Sequence, residues 1–494
     1  MPIMDDGVEE RLLVAEENGS SHLKTRIWRE TKLIWRIAFP AIITRVTSFG
    51  LIVVTQSFLG HVDAIDLAAY ALVQSIILRF FDGILLGMSS ATETLCGQAF
   101  GAGHDHMMGV FLQRSWIVDG VTTTILLPIF IFTKPILKLL GQDEEIAVAS
   151  GSISLWLIPF VYNFVFGLTI QMFLQAQLKN MVIGWLSSIS FPLHVLLSWL
   201  FVSKLGLGVG GAMASLNISA WSVVIGEFVY IFGGWCPHSW KGFTTAAFTD
   251  ISPVIKLSLS SGVMLCLELW YYSILVLLAG YLKNATVAIS AFSICLNVSG
   301  LQFMICLGFL TASCVRVSNE LGGGNAKAAK FSIKVIIMTS TFFGVLFFVL
   351  CLAFGRQLSY LFTTSEEIAD AISELSVFLA FSLLLNSIQS VLSGVAVGAG
   401  FQGVVAFINL GSYYLIGIPV GCLLGYVLNH GVKGLWVGLL AGVALQIIIL
   451  SYVVWRTDWD EQANKAFKRI NRWLLKPAEE SNQSSIGSIS ESGD

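Results

Sequence analysis

Charge is what this sequence of 494 residues most lacks. Only 12% of it is Asp, Glu, Lys or Arg, against about a quarter in an average soluble domain. By contrast 55% is apolar and the mean hydropathy is +0.78. That balance excludes an ordinary soluble enzyme and makes a many-span membrane protein the working class. The sequence also lacks a basic excess: 28 Lys and Arg face 31 Asp and Glu, for a net charge of -3, so nucleic acid is not an expected partner. It has no CxxC pair and no zinc spacing, and its eight cysteines read as small core hydrophobes rather than metal ligands or disulfides. No G-x-x-x-x-G-K-[ST] loop occurs, so ATP is not the expected energy source. No cofactor and no metal is expected. Residues 1–36 hold no long apolar core followed by a small-residue cleavage site, so the first span is expected to direct insertion itself.

What is abundant is apolar runs of membrane length. A hydrocarbon core about 30 Å thick needs roughly 20 apolar residues per helix. Twelve such stretches lie near 37–59, 67–92, 109–132, 149–172, 178–203, 209–233, 257–281, 287–312, 332–355, 372–394, 401–427 and 433–454. Helices are required because lipid cannot satisfy an open backbone, and the runs are too continuous to alternate like barrel strands. Most loop and tail Lys and Arg, from Lys24 to Arg36 and from Lys327 to Lys334 among them, fall on one side if the amino terminus is inside. Both termini are therefore expected in the cytosol.

The chain also repeats itself. Leu86-Gly87, Ala91, Gly101 and Gly103 match Leu307-Gly308, Ala312, Gly322 and Gly324; Glu144-Glu145-Ile146-Ala147 matches Glu366-Glu367-Ile368-Ala369; Gly208-Val209-x-Gly211 matches Gly431-Val432-x-Gly434. The shift is about 222 residues throughout, which spans six helices. An even number makes the repeats parallel, with an axis along the membrane normal and a site between them that opens to alternate sides. The predicted fold is an all-α membrane protein of twelve transmembrane helices in two six-helix lobes related by a pseudo-two-fold axis. Its parts are a cytoplasmic tail 1–36, an N-lobe 37–233, a cytoplasmic linker 234–256, a C-lobe 257–454 and a cytoplasmic tail 455–494. Segment 459–475 mixes Trp, Phe, Ile and Leu with Lys and Arg, and reads either as an amphipathic helix on the inner leaflet or as a solvated tail.

Ionisable groups within spans are costly and are functional candidates by default: Arg45, Arg79, Asp82, Asp119, His194, Glu227 and Glu268. Asp82 follows Arg79 by three residues, a spacing at which the two can neutralise each other. Asp119 reads as nearer a membrane end. Glu268 differs, because it sits near the middle of span seven with no basic residue within a turn or two. Loss of water at that depth favours the neutral acid, so this carboxyl can load a proton from one side and release it to the other. Tyr271 and Tyr272, three and four residues on, share its face and suit hydrogen bonding or stacking on a flat substrate. Polar residues expected to line the same cavity are Tyr162, Asn163, Gln175, Asn297, Asn386, Gln389 and Tyr413, although such stripes also serve to join helices. Pro40 marks either a hinge or the start of span one.

Between spans two and three stands Glu93-Thr94-Leu95-Cys96-Gly97-Gln98-Ala99-Phe100-Gly101-Ala102-Gly103, and its repeat partner is Arg316-Val317-Ser318-Asn319-Glu320-Leu321-Gly322-Gly323-Gly324. With Cys266-Leu267-Glu268, Leu392-Ser393-Gly394-Val395-Ala396 and Gly431-Val432-Lys433-Gly434-Leu435-Trp436, these resemble the multidrug and toxic compound extrusion family, in particular its plant branch of detoxification efflux carriers. The other common twelve-span fold, the major facilitator type, wants a charged Gly-Arg-Arg-like loop after span two, and none is there. The resemblance implies an antiporter exchanging small organic compounds for protons by alternating access, as a monomer, at the vacuolar or plasma membrane. It assigns proton coupling to Glu268. The family often has an acid where this chain has Asn386, which argues against a two-carboxylate cation site. Glu93, Arg316 and Glu320 are expected near the cytoplasmic surface, as a gate at the inner mouth or as fixers of loop geometry. A sodium-coupled antiporter and a lipid or oligosaccharide flippase of related architecture are the rival readings. A membrane-embedded enzyme would need clustered His, Asp or Cys, whereas His104 and His106 lie in a loop and His194 stands alone.

Overall fold

Lipid leaves a backbone no partner but itself, and the chain answers with helix throughout. The computed structural model describes residues 23–280, 286–360 and 366–471. Twelve helices in it are long and apolar enough to cross a membrane. They are α1 (Leu23–Gly60), α2 (Ala64–Gly101), α3 (Asp105–Ile131), α4 (Ile158–Ala176), α5 (Met181–Lys204), α6 (Gly208–Trp235), α7 (Ser252–Ala279), α8 (Val298–Gly322), α9 (Ala326–Gln357), α10 (Ala369–Ala399), α11 (Gln402–Val427) and α12 (Gly431–Arg456). They form two six-helix lobes, each with its own apolar core: Leu59, Tyr70, Phe81, Phe130 and Leu216 meet in the first, and Phe309, Ile336, Val391 and Leu450 in the second.

Besides α1, which begins at Leu23 rather than near 37 and takes in part of the expected tail, four boundaries differ most from expectation, each for a physical reason. Span four begins at Ile158, because Pro159 lacks an N–H and starts a new helix after Glu144–Trp156 ends. Helices α2 and α8 run on through the glycine-rich strings to Gly101 and Gly322, so Glu93–Gly101 is helix rather than a connecting loop. The left-handed turns fall later, at Gly103 (φ 73°) and Gly324 (φ 74°). The glycines inside the helices serve close approach instead. A side chain at Gly101 would collide with the carbonyl of Asn319, and one at Gly322 with that of Gln98.

The fourth difference is at the C-terminal end. Residues 459–471 form a helix, capped by Asp458, whose Oδ1 accepts from the N–H groups of Asp460 (3.0 Å) and Glu461 (3.2 Å). Its buried stripe does not face lipid. Trp459, Ala463 and Ala466 join the C-lobe core, while Ile470 joins Met107, Met108 and Cys96 of the N-lobe. Arg469 Nη1 donates to Gln98 Oε1 at 2.9 Å. The helix thus straps both lobes at the end where α2 meets α8. The remainder of the tails, 1–22 and 472–494, lies outside the described residues.

The connection between α6 and α7, residues 236–251 and so shorter than the expected 234–256, is likewise docked. Gln113 on α3 holds it from both sides, donating to Gly242 O and accepting from Thr244 N at 3.1 and 3.0 Å. Arg114 Nη2 donates to Ala246 O at 3.1 Å.

Candidate functional site

Helix α7 carries the candidate acid into the C-lobe, where α10, α11 and α12 close around it. Glu268 is 2% exposed. Its Oε1 accepts from Gln389 Nε2 at 2.9 Å, and the same amide reaches Ser393 Oγ at 3.2 Å. Its Oε2 is buried and has no hydrogen-bond partner among the described residues. One turn along, Tyr272 donates to Asn386 Oδ1 at 3.1 Å. Glu268, Tyr272, Asn386 and Gln389 are thus brought together, as their spacing on two facing helices suggested.

Two other expected cavity residues are built in differently. Tyr271 and Tyr413 are wholly buried and stacked on each other, with ring centroids 4.4 Å apart and planes 5° from parallel. Tyr271 donates to Gly438 O at 2.9 Å and Tyr413 to Gln446 Oε1 at 2.7 Å; Gln446 continues to Asn409, and Asn409 to Met264 O. With both faces and both hydroxyls occupied, this pair is a wall of the site rather than a surface for cargo. Gly417 and Gly442 flank the Tyr271 ring closely. Tyr413 and Tyr414 sit on a π-helical stretch, Leu410–Gly417. That wider turn, which re-aims side chains and often marks functional sites, carried no sequence signal. Gln446 was also missed, lying singly in an apolar helix with no periodic partner.

The remaining cavity residues lie elsewhere. Tyr162, Asn163 and Gln175 are on α4 in the N-lobe; Tyr162 pairs with Thr124 Oγ1 at 3.0 Å, and Asn163 Nδ2 is buried without a hydrogen-bond partner among the described residues. The side chain of Asn297 lies outside the described residues.

The expected gate also separates. Arg316 and Glu320 do pair, at 2.6 Å, but the third member is Glu30 on α1, which meets Arg316 Nε at 2.7 Å and Nη2 at 3.1 Å while accepting from Ser332 Oγ at 2.6 Å. Glu30 was read as tail and missed, because nothing in a polar flank announces a buried carboxylate. Glu93 is not at a surface. It is 2% exposed inside α2, beside Cys314, because the string that bears it is helix packed on α8. What joins the lobes there is backbone contact through the glycines, with Thr94 Oγ1 donating to Val397 O at 2.7 Å and Gln98 Nε2 to Gly398 O at 3.1 Å.

Pro40 is not at a helix start. It lies buried within α1, where Gly184 of α5 packs on it and Thr44 Oγ1 donates to its carbonyl at 2.9 Å. Asp119 is wholly buried rather than near a membrane end, and accepts from Ser89 Oγ at 2.8 Å. His194 bonds Thr55 Oγ1 at 3.1 Å, as expected of a core imidazole.

Two parallel six-helix lobes joined through glycines at one end, with buried acids at membrane depth, make a transporter's arrangement. The MatE family model matches residues 40–200 and again 261–423, once per lobe. The chain belongs to the MatE family. It is 55% identical over 484 residues to Protein DETOXIFICATION 24 of Arabidopsis thaliana, covering 96% of this chain and 97% of that one, and 53% identical to Protein DETOXIFICATION 25 of the same plant, covering 95% of each. Its structure is similar to that of the eukaryotic MATE transporter AtDTX14, with a TM-score of 0.83 and 31% identity over 90% of this chain and 99% of the other. A MATE in the bent conformation, at 17% identity and TM-score 0.76 over 90% of this chain and 100% of that one, shares the fold. The protein is therefore an integral multi-pass membrane transporter of the MATE type.

Proposed function

We propose that this MATE transporter exchanges small organic compounds for protons, with Glu268 as the proton carrier. The observation that carries the reading is the setting of that acid: buried, with one oxygen held by Gln389 and the other left without a partner among the described residues. Burial without a counter-charge penalises the carboxylate, so a carboxyl so placed is suited to exchanging a proton. A change of exposure that brings water or a counter-charge to Oε2 favours release of that proton. Rocking of the two lobes supplies that change. A proton that favours one exposure over the other is what converts a gradient into work, since equal binding to both shifts nothing. Each unit of pH difference supplies about 1.4 kcal/mol per proton.

The donor pattern favours a proton over sodium. Gln389 presents its amide N–H to Glu268, and the oxygen of Asn386 already accepts from Tyr272, so a cation there would meet a donor on one side and an occupied acceptor on the other. In the same reading the end bearing Gly101 and Gly322 is the cytoplasmic one, closed in this conformation, and Pro40 within α1 is a hinge. The protein acts as a monomer in a plant vacuolar or plasma membrane and clears secondary metabolites or xenobiotics. The test is uptake of a dye into reconstituted vesicles under imposed pH gradients of either sign, with Glu268→Gln in parallel. Wild-type uptake should follow the gradient and the variant's should not. Gradient-driven uptake by the variant at the normal rate and stoichiometry would overturn the assignment.

A further inference from the structure

The N-lobe carries charge at membrane depth that proton coupling does not use. Arg45 is followed on α1 by fifteen residues to Gly60, about 22 Å of helix at 1.5 Å per residue, so its side chain cannot reach the membrane surface at that end. It lies about one turn beyond Ile42 and two beyond Ala38, both of which pack on Gly308 of α8. Asp82 lies midway along α2, next to Gly83, which faces Cys266 and Leu269 of α7. Both are therefore at the level where the lobes cross, and both are half-buried. Asp82 is the carboxylate whose charge acts most on Arg45, with Glu93 second, and Asp82 in turn feels Arg45 before Arg79. Among the described residues none of Arg45, Arg79 and Asp82 closes an ion pair within 4.0 Å.

The arrangement is costly. A guanidinium stays charged and brings five N–H donors, and inside a membrane protein it is kept only where it is paired or faces an aqueous path. Two guanidiniums share the half-buried Asp82 without either closing on it. The remaining carboxylate in reach, Glu93, is enclosed where α2 packs on α8, beside Cys314. The repeat supplies a control: the C-lobe has Leu265 where the N-lobe has Arg45, at a shift of 220, and Phe303 where it has Asp82, at the shift of 221 that pairs Leu86-Gly87 with Leu307-Gly308. The same scaffold closes without these charges, so packing does not demand them. Next to Arg79, Phe80 stacks on Trp270 of α7 across the lobe boundary, centroids 5.1 Å apart, which gives the site an aromatic side.

We infer that Arg45 is the recognition group for the anionic end of the cargo, and that the cargo is an aromatic carboxylate. Its planar fork takes a carboxylate through two parallel N–H bonds. Asp82 is the resident counter-ion, which neutralises Arg45 when the site is empty and yields it when cargo arrives. This rests on the transporter reading above and adds the charge of what is carried.

The test is equilibrium binding to the purified full chain in nanodiscs without any gradient, by calorimetry. The three probes share one ring system: 1-naphthoate, neutral 1-naphthamide and cationic 1-naphthylmethylammonium. Wild type should bind the carboxylate about tenfold to a hundredfold more tightly than the amide, and the cation most weakly. Arg45→Gln should erase that preference while leaving amide binding, and Arg45→Lys should keep part of it. Asp82→Asn should strengthen carboxylate binding, an opposite sign that keeps the test informative where Arg45→Gln does not fold. Lack of preference for naphthoate in wild type, an unchanged preference in Arg45→Gln, or weaker carboxylate binding in Asp82→Asn each overturns the inference. Glu268→Gln should retain the preference. Failure of proton coupling would appear in the vesicle assay alone, and failure of anion recognition in binding alone.

Discussion

The two lobes descend from one six-helix pattern and handle charge in opposite ways. The C-lobe isolates a single acid, Glu268, among amides and tyrosines, and binds that shell together through Gln389, Asn386, Gln446 and the Tyr271–Tyr413 stack. The N-lobe instead places Arg45, Arg79 and Asp82 within electrostatic reach of one another, with Arg45 and Asp82 half-buried and Arg79 exposed. Position for position, Glu268 corresponds to Ser48 at a shift of 220. The duplicated scaffold therefore fixes where helices cross, and leaves each lobe free to specialise: one buried acid in an amide shell in the C-lobe, and a half-buried charge cluster beside the enclosed acids Glu93, Asp119 and Glu227 in the N-lobe.

The strongest way to break this contrast is to remove the acid. Glu268→Gln should abolish gradient-driven uptake in vesicles while leaving the thermal unfolding temperature close to wild type, since a glutamine can still bond Gln389. Moving the acid is the next test. Ser48→Glu in a Glu268→Ser background should not restore coupling, because position 48 is exposed and lacks the amide shell. Restoration would mean the lobes are interchangeable. A third comparison sets the ion pair at the closed end against the enclosed acid of α2. Arg316→Ala strands Glu30 and Glu320, and should cost about 3–5 kcal/mol in denaturant or thermal unfolding, the usual price of breaking a buried pair. Glu93→Gln should cost far less, because Glu93 makes no ion pair among the described residues. Gly101→Leu should then weaken the closed end by about 1–3 kcal/mol through overpacking, read as a longer distance between spin labels on α2 and α8. The smallest effect expected is for Arg469→Ala, about 1 kcal/mol for its bond to Gln98, seen as a modest rise in the open population by the same labels.

Much of the molecule was legible in the residues. Twelve spans, two lobes and the parallel repeat all follow from local signals: run length, periodicity and a shift that keeps recurring. The neighbours of Glu268 on α10 were legible too, because Asn386, Gln389 and Ser393 form one stripe at helical spacing. What failed was any inference that needed to know which helix stands opposite. The string Glu93–Gly103 reads as a turn because glycine breaks isolated helices, yet α2 continues as far as Gly101 because α8 lies so close that only hydrogen fits. Glu30 looked like tail and is an ion-pair partner 286 residues away in sequence from Arg316. Tyr271 and Tyr413 looked like cargo surfaces and are bonded to each other's surroundings.

The amino-acid sequence by itself determined that this chain is helical, spans the membrane and is double, since hydration and backbone hydrogen bonding act residue by residue and its apolar runs are too continuous for barrel strands. Only the tertiary structure decided which carboxylates are paired, which tyrosines are walls, and that the segment after α12 straps both lobes instead of resting on the bilayer. Those outcomes depend on distances between helices remote in the chain, and such distances are set by the packing of whole surfaces rather than by any one residue's preference.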